Sequence, residues 1–170
     1  MNKTSLILAV LASAAGVTCS HPQPPSPCTT PEPVRVLLTA SSRLNPGDNG
    51  ESLATTVRIY QLKDTSKLVE SSIDRLLDGD RGVLGEDLVS VQELILYPGE
   101  KAAPAMVRGE GATSIAVVAM FRHPVGPSWR AVRKLPPPDP QHCHGTTATP
   151  AALAASQLKF TLEDSRVDMR

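Results

Sequence analysis

Hydrophobic positions in this chain recur mostly with a period of two, in runs of six to nine residues separated by turn-forming stretches. Val34–Ala40 (VRVLLTA) is rich in β-branched and aliphatic residues and is predicted as a first strand. Thr55–Leu62 (TTVRIYQL) is a second, with Val57 and Ile59 on one face and Arg58 and Tyr60 on the other. Leu88–Leu96 (LVSVQELIL) is a third and ends before the turn dipeptide Pro98-Gly99. Ala105–Val107 forms a short strand. Ser114–Phe121 (SIAVVAMF) is apolar on both faces, as a central strand covered from both sides requires. Ser128–Leu135 (SWRAVRKL) follows the turn residues Pro124–Pro127. Gln157–Leu162 (QLKFTL) alternates with Leu158, Phe160 and Leu162 inward, and Val167 and Met169 continue into a final strand.

One segment changes period. Between Lys67 and Leu77, apolar residues at 68, 69, 73, 76 and 77 follow helical spacing. Thr65 or Ser66 is placed to cap its start and Gly79 follows its end. Six to eight strands with one helix inserted between two of them describe an all-β, two-sheet β sandwich. Such folds carry function in loops held by a rigid scaffold. The connection Ser41–Ser52 (SSRLNPGDNGES) spans twelve residues, against two to five for an ordinary hairpin. Its tip, Asn45-Pro46-Gly47-Asp48-Asn49, reads equally as a binding loop and as a surface loop without a task.

The first nineteen residues follow neither period. Lys3 precedes a short apolar run, Leu6–Leu11, then small residues at 12–16, then Cys19. This is the layout of an export signal, with an apolar core too short to cross a bilayer. Cleavage after a small-x-small triplet such as Ala12-Ser13-Ala14 releases a soluble protein. Processing before Cys19 instead leaves a lipid on that cysteine, although Gly16-Val17-Thr18 is an irregular box for it. Residues 20–33 contain six prolines, a composition that acts as a semi-rigid spacer. The expected organisation is a signal peptide at 1–18, a Pro-rich tether at 19–33 and a β-sandwich domain at 34–170, with an irregular insert at about 136–155.

Composition narrows the chemistry. Seventeen basic and seventeen acidic residues give a formal net charge of zero, with no electrostatic footprint for nucleic acid. Aromatics make up 3% of the chain, so the core is aliphatic. Of the three cysteines, one is left over if two pair. With Cys19 lipidated, Cys28 and Cys143 remain as a disulfide pair; otherwise Cys19–Cys28 or a free thiol is also open. His142-Cys143-His144 offers too few convergent ligands for zinc and reads as a disulfide cysteine between solvated histidines. Acidic residues from Asp74 to Asp87 lack the spacing of a calcium loop and read as a solvated turn. No nucleophile elbow, zinc-protease motif or phosphate loop is present. The chain is expected to be no enzyme and to need no cofactor, metal or small-molecule substrate.

Several segments in order resemble a known family. LNPGDNGESLATTVRIYQLKD, then Leu68 and the helix, Val83–Leu88 (VLGEDL), Glu93–Gly99 (ELILYPG), and Ile115–Arg122 (IAVVAMFR) followed by Trp129-Arg130 are similar to the outer-membrane lipoprotein of the type VI secretion system (TssJ, VasD or SciN). The resemblance covers roughly residues 34–135. It implies a transthyretin-like sandwich with an added helix, a lipid on Cys19 in the outer membrane, and a periplasmic domain. It implies one partner, the periplasmic part of the inner-membrane TssM/IcmF-like subunit, contacted through the loop between the first two strands. Asn45, Pro46, Gly47, Asp48 and Asn49 are the expected contact residues; Pro46 and the glycines fix the shape, while Asp48 and Asn49 supply polar contacts. A periplasmic transthyretin-like module that binds a small ligand is the alternative reading.

Overall fold

Alternation of inward and outward residues sets both sheets. The structure is a computed structural model that describes residues 32–138 and 157–169. Strand β1 (Pro33–Ala40) buries Val34, Val36, Leu38 and Ala40 on one face. On one side it pairs in parallel with β8 (Leu158–Glu163), which pairs with β9 (Arg166–Met169). On the other it pairs with β5 (Ala105–Val107) along its first half and β4 (Lys101–Ala102) along its second. The opposing antiparallel sheet runs β3 (Leu88–Leu96), β2 (Thr55–Leu62), β6 (Ser114–Ala119), β7 (Arg130–Lys134). Val57, Ile59, Leu96, Ile115 and Val117 meet Leu38, Phe160 and Leu162 in a common aliphatic core.

Most predicted strands are present, β2, β3 and β5 with the predicted limits. β1 starts one residue earlier than predicted, at Pro33. All six residues of β6 are buried, as the two-sided apolar pattern requires. The segment before β7 is a 3-10 turn, Gly126–Trp129, with Pro127 near its start. The two-residue β4 carries too little pattern to be read from sequence.

The single predicted helix is instead broken. α1 (Ser66–Glu70) and α2 (Ile73–Asp78) are separated by Ser71, whose ψ of 156° is extended, and a third short helix, α3 (Asp80–Leu84), follows Gly79. Both serines at the break compete with helical hydrogen bonding. Ser71 Oγ donates to Leu68 O at 2.8 Å, and the Ser72 side chain accepts from Arg75 N. The carbonyls freed at the break are not left bare. Arg130 donates to Ser71 O at 3.1 Å and also to Val69 O, while its guanidinium lies 4.4 Å from the Trp129 ring. Thr65 stands at the α1 cap without a side-chain bond, and Asp64 Oδ1 accepts from Ser66 N instead.

These helices cover the outer face of β2, and there the acidic run departs from expectation. Asp80 is not a solvated turn residue. Its Oδ1 accepts from Tyr60 OH at 2.7 Å and from Arg58 Nη1 at 3.1 Å. Arg58 also donates to Leu76 O at 3.2 Å and, through Nε, to Glu93 at 2.7 Å. Tyr60 is fully buried, so its hydroxyl needs that acceptor. Burial, and then the bond to Asp80, raise the Tyr60 pKa above the ordinary tyrosine range. The cluster therefore ties the helical layer to the sheet by paired polar groups.

Asp80→Ala strands the Tyr60 hydroxyl and part of the Arg58 guanidinium, and is expected to cost about 2–3 kcal/mol in urea unfolding. Tyr60→Phe is expected to cost about 1 kcal/mol. Because the folded pKa of Tyr60 is raised, the unfolded chain gives up that proton first, and stability falls as pH rises above about 10. Tyr60→Phe should flatten that alkaline decline; an unchanged decline would place its origin elsewhere.

Candidate functional site

The parallel pairing of β1 and β8 brings their carboxyl ends together, with Ala40 opposite Leu162. β6 leaves its sheet at the same end, because Ala119 pairs with Val57 near the start of β2. Three connections therefore meet there: the β1–β2 loop (41–54), the β6–β7 connection (120–129) and the β8–β9 turn (164–165). Direct bonds fasten them. Ser41 N donates to Leu162 O at 2.8 Å and Asn45 N to Asp164 O at 2.7 Å. Met120 N donates to Thr56 O at 2.9 Å, and Thr55 Oγ1 returns a bond to Met120 O at 2.9 Å.

Asn45 is the hub of this end, not its tip. It is 5% exposed and adopts φ 48°, a left-handed conformation that asparagine tolerates better than most residues. Its Nδ2 donates to Ala54 O at 3.0 Å, closing the base of its own loop. Its Oδ1 accepts from Arg122 N at 2.8 Å, fixing the neighbouring connection. Asp164, which receives the Asn45 amide through its carbonyl, also has positive φ, at 47°. Leu44 beside Asn45 is fully buried and anchors the loop in the core.

Beyond this anchor the loop is a tight turn. Pro46 bridges to Ser52, Gly47 N donates to Glu51 O at 2.8 Å and Gly50 N to Gly47 O at 3.0 Å. Gly50 has φ 81°, which a residue with a Cβ adopts only with strain. The Glu51 carboxylate folds back under Gly47 and accepts from Asn49 N at 3.1 Å. Asp48 and Asn49 are exposed at the tip.

Asp48 is already engaged within the chain. It accepts from Arg122 Nη2 at 2.9 Å and lies 3.0 Å from His123 Nε2. The His123 hydrogen bond, and then the Arg122 charge, hold the Asp48 carboxyl below its usual range. The expected loop residues thus divide: Asn45 builds, Pro46 and Gly47 shape, Asp48 latches and Asn49 faces solvent. Arg122 and His123, which the sequence reading left out of the site, complete the latch. The Phe121-Arg122 pair was visible as a motif, but only the strand register shows that it falls beside Asp48.

A groove of about 730 Å³ opens between the three connections, lined by residues that include Ser41, Pro46, Val125, Ser128, Asp164 and Arg166. Among the described residues no group of three or more His, Cys, Asp or Glu side chains could hold a metal ion. Cys19, Cys28, His142, Cys143 and His144 lie outside the described residues. No helix among the described residues is long and apolar enough to cross a membrane.

The comparisons with known proteins agree with this architecture. No curated protein matches the chain significantly. The structure is similar to that of the type VI secretion lipoprotein TssJ1 from Pseudomonas aeruginosa, with 25% identity and a TM-score of 0.65 over 83% of this chain and 96% of that one. It shares its fold with Serratia marcescens Lip, a membrane-bound component of the type VI secretion system, at 18% identity and a TM-score of 0.69, covering 83% and 97% of the two chains. The same fold recurs in a chain of a structure described as the type VI protein TssM C-terminal domain (869–1107) from EAEC, at 22% identity and a TM-score of 0.62, over 82% and 98%. Residues 32–164, which run from the root of β1 to the β8–β9 turn, match the family described as type VI secretion lipoprotein, VasD, EvfM, TssJ. The chain belongs to that type VI secretion lipoprotein family.

Proposed function

We propose that this chain is the structural lipoprotein of a type VI secretion membrane core complex. It is held in the outer membrane by a lipid on Cys19 and docks the periplasmic part of the inner-membrane TssM/IcmF-like subunit through its β1–β2 loop. It does so as a scaffold, without chemistry of its own. The observation that carries this reading is the built loop end, in which a long connection is braced by two others and left exposed at Asp48 and Asn49. Membership of the type VI secretion lipoprotein family supports a place in that complex. A loop already fixed in shape loses less entropy on binding, so the latch acts as pre-organisation.

The opposite end of β1 suits a tether. Arg108 N donates to Glu32 O at 2.7 Å, and the Arg108 guanidinium lies 3.5 Å from the Glu32 carboxylate. The same guanidinium donates to Pro136 O at 2.7 Å and Ala112 O at 3.1 Å. Arg108 thereby draws together the residues that lead towards Cys28 and Cys143, four and seven positions away. Their convergence supports the Cys28–Cys143 disulfide, with Cys19 left for the lipid. Non-reducing peptide mass spectrometry should recover the Cys28–Cys143 crosslink. Recovery of Cys28 joined to Cys19 instead would remove both assignments.

Deleting Gly47–Asn49 while keeping Asn45 and Pro46 is expected to weaken binding to the periplasmic part of the inner-membrane subunit by at least about tenfold, with melting little changed. Undiminished binding would exclude the loop from the interface. Cys19→Ser should move the protein from the membrane fraction to the soluble one. Folding lowers the Asp48 pKa, so the latch is fully present above the ordinary carboxylate range and is lost as pH falls below about 4. Binding should weaken on that acid limb, and Arg122→Ala should weaken it at neutral pH; an Arg122→Ala chain that binds like the parent would show that the latch does not shape the docking surface.

A further inference from the structure

We infer that the groove beside the β1–β2 loop receives an extended, uncharged segment of the same inner-membrane subunit, with Val125 as the anchoring apolar contact. This rests on the docking reading above and adds to it a second element, the β6–β7 connection.

Val125 is 70% exposed, the highest value among the exposed large hydrophobic residues described. Its position is fixed by the local chain. Pro124 precedes it, Gly126 takes φ 54°, and Pro127 enters the 3-10 turn. Ser128 then donates its backbone N–H to Val125 O at 3.2 Å. A glycine is needed at position 126 because the left-handed backbone strains other residues. The valine is therefore presented outward by a stiff turn instead of folding into the core. An apolar side chain held in this way loses little freedom on contact and suits a central, water-excluding contact in an interface.

Beside Val125 the lining has one other apolar side chain, Pro46, among four serines and four charged residues, which suits an extended, uncharged peptide that sets one apolar residue against Val125. Pro46 faces the cleft from the β1–β2 loop, and the Ser41 and Ser128 hydroxyls, which already bond Arg43 N and Val125 O within the chain, keep acceptor capacity for a main-chain amide. The charged groups on its rim are paired with one another: Arg43 with Asp164 at 3.3 Å, and Arg166 with Glu163 at 3.1 Å. A strongly charged segment would have to compete with those pairs. The groove is continuous with the docking loop, because Arg122 and His123, which hold Asp48, stand three and two residues before Val125.

The test measures affinity of the mature chain for the purified periplasmic part of the inner-membrane subunit of the same secretion system. Val125→Asp is expected to weaken binding by about tenfold or more, and Val125→Ile to stay within about twofold of the parent. Both substitutions are at an exposed site, so thermal melting should move little, and it is recorded alongside. If Val125→Asp binds like the parent while deletion of Gly47–Asn49 abolishes binding, the groove is outside the interface and this inference falls, with the docking reading intact. If neither change weakens binding, both fall.

Discussion

The parallel pairing of β1 with β8 is the constraint on which the rest is arranged. It joins a strand near the start of the described domain to one near its end, with Val36 opposite Leu158 and Ala40 opposite Leu162. Loop-closure entropy makes such a distant pairing costly, and burial of Phe160 and Leu162 against β1 and the opposite sheet offsets it. Once the pair is formed, the β8–β9 turn has to emerge beside the β1–β2 loop. The carbonyl of Asp164 then meets the Asn45 amide, and Asn45 reaches Arg122 across the sandwich. A single register choice thus leads to the whole loop end.

The outer face of the second sheet is covered in a different way. Helices of five and six residues have little stability alone. They persist because Leu68, Leu76 and Leu84 are fully buried and because the polar groups beneath them are paired. Arg58 donates to the carbonyl of Leu76 in α2 and Arg130 to those of Val69 in α1 and its C-cap Ser71, so the sheet supplies the caps that the helices lack. This arrangement lets a broken helical segment act as a fixed layer.

Strand positions were legible in the sequence because period-two patterning reports a sheet face directly. Thr55–Leu62 and Leu88–Leu96 have the limits that the pattern predicts. The break at Ser71-Ser72 was not, because five apolar positions at helical spacing outweighed two serines, and the carbonyls freed there are taken up by Arg130 far along the chain. Asp80 looked like one acid in a solvated run; only the tertiary position of Tyr60 makes it a half-buried acceptor. At the loop end the length of the connection and its Asn-Pro-Gly-Asp-Asn tip were visible, and the division of labour among those residues was not. Whether an asparagine faces a partner or its own backbone depends on what the fold places opposite it, here the amide of Arg122.

β1 has a mechanical meaning as well as a topological one. The Arg108 clamp sits at its first residues and the loop end at its last, about 26 Å apart for eight residues of strand. A pull applied between the chain that enters β1 and the loop that leaves it acts along the strand. The hydrogen bonds from β1 to β8, β5 and β4 lie across that direction. Tension between the two ends therefore runs through the already extended backbone of β1, while those hydrogen bonds keep the strand seated between its neighbours.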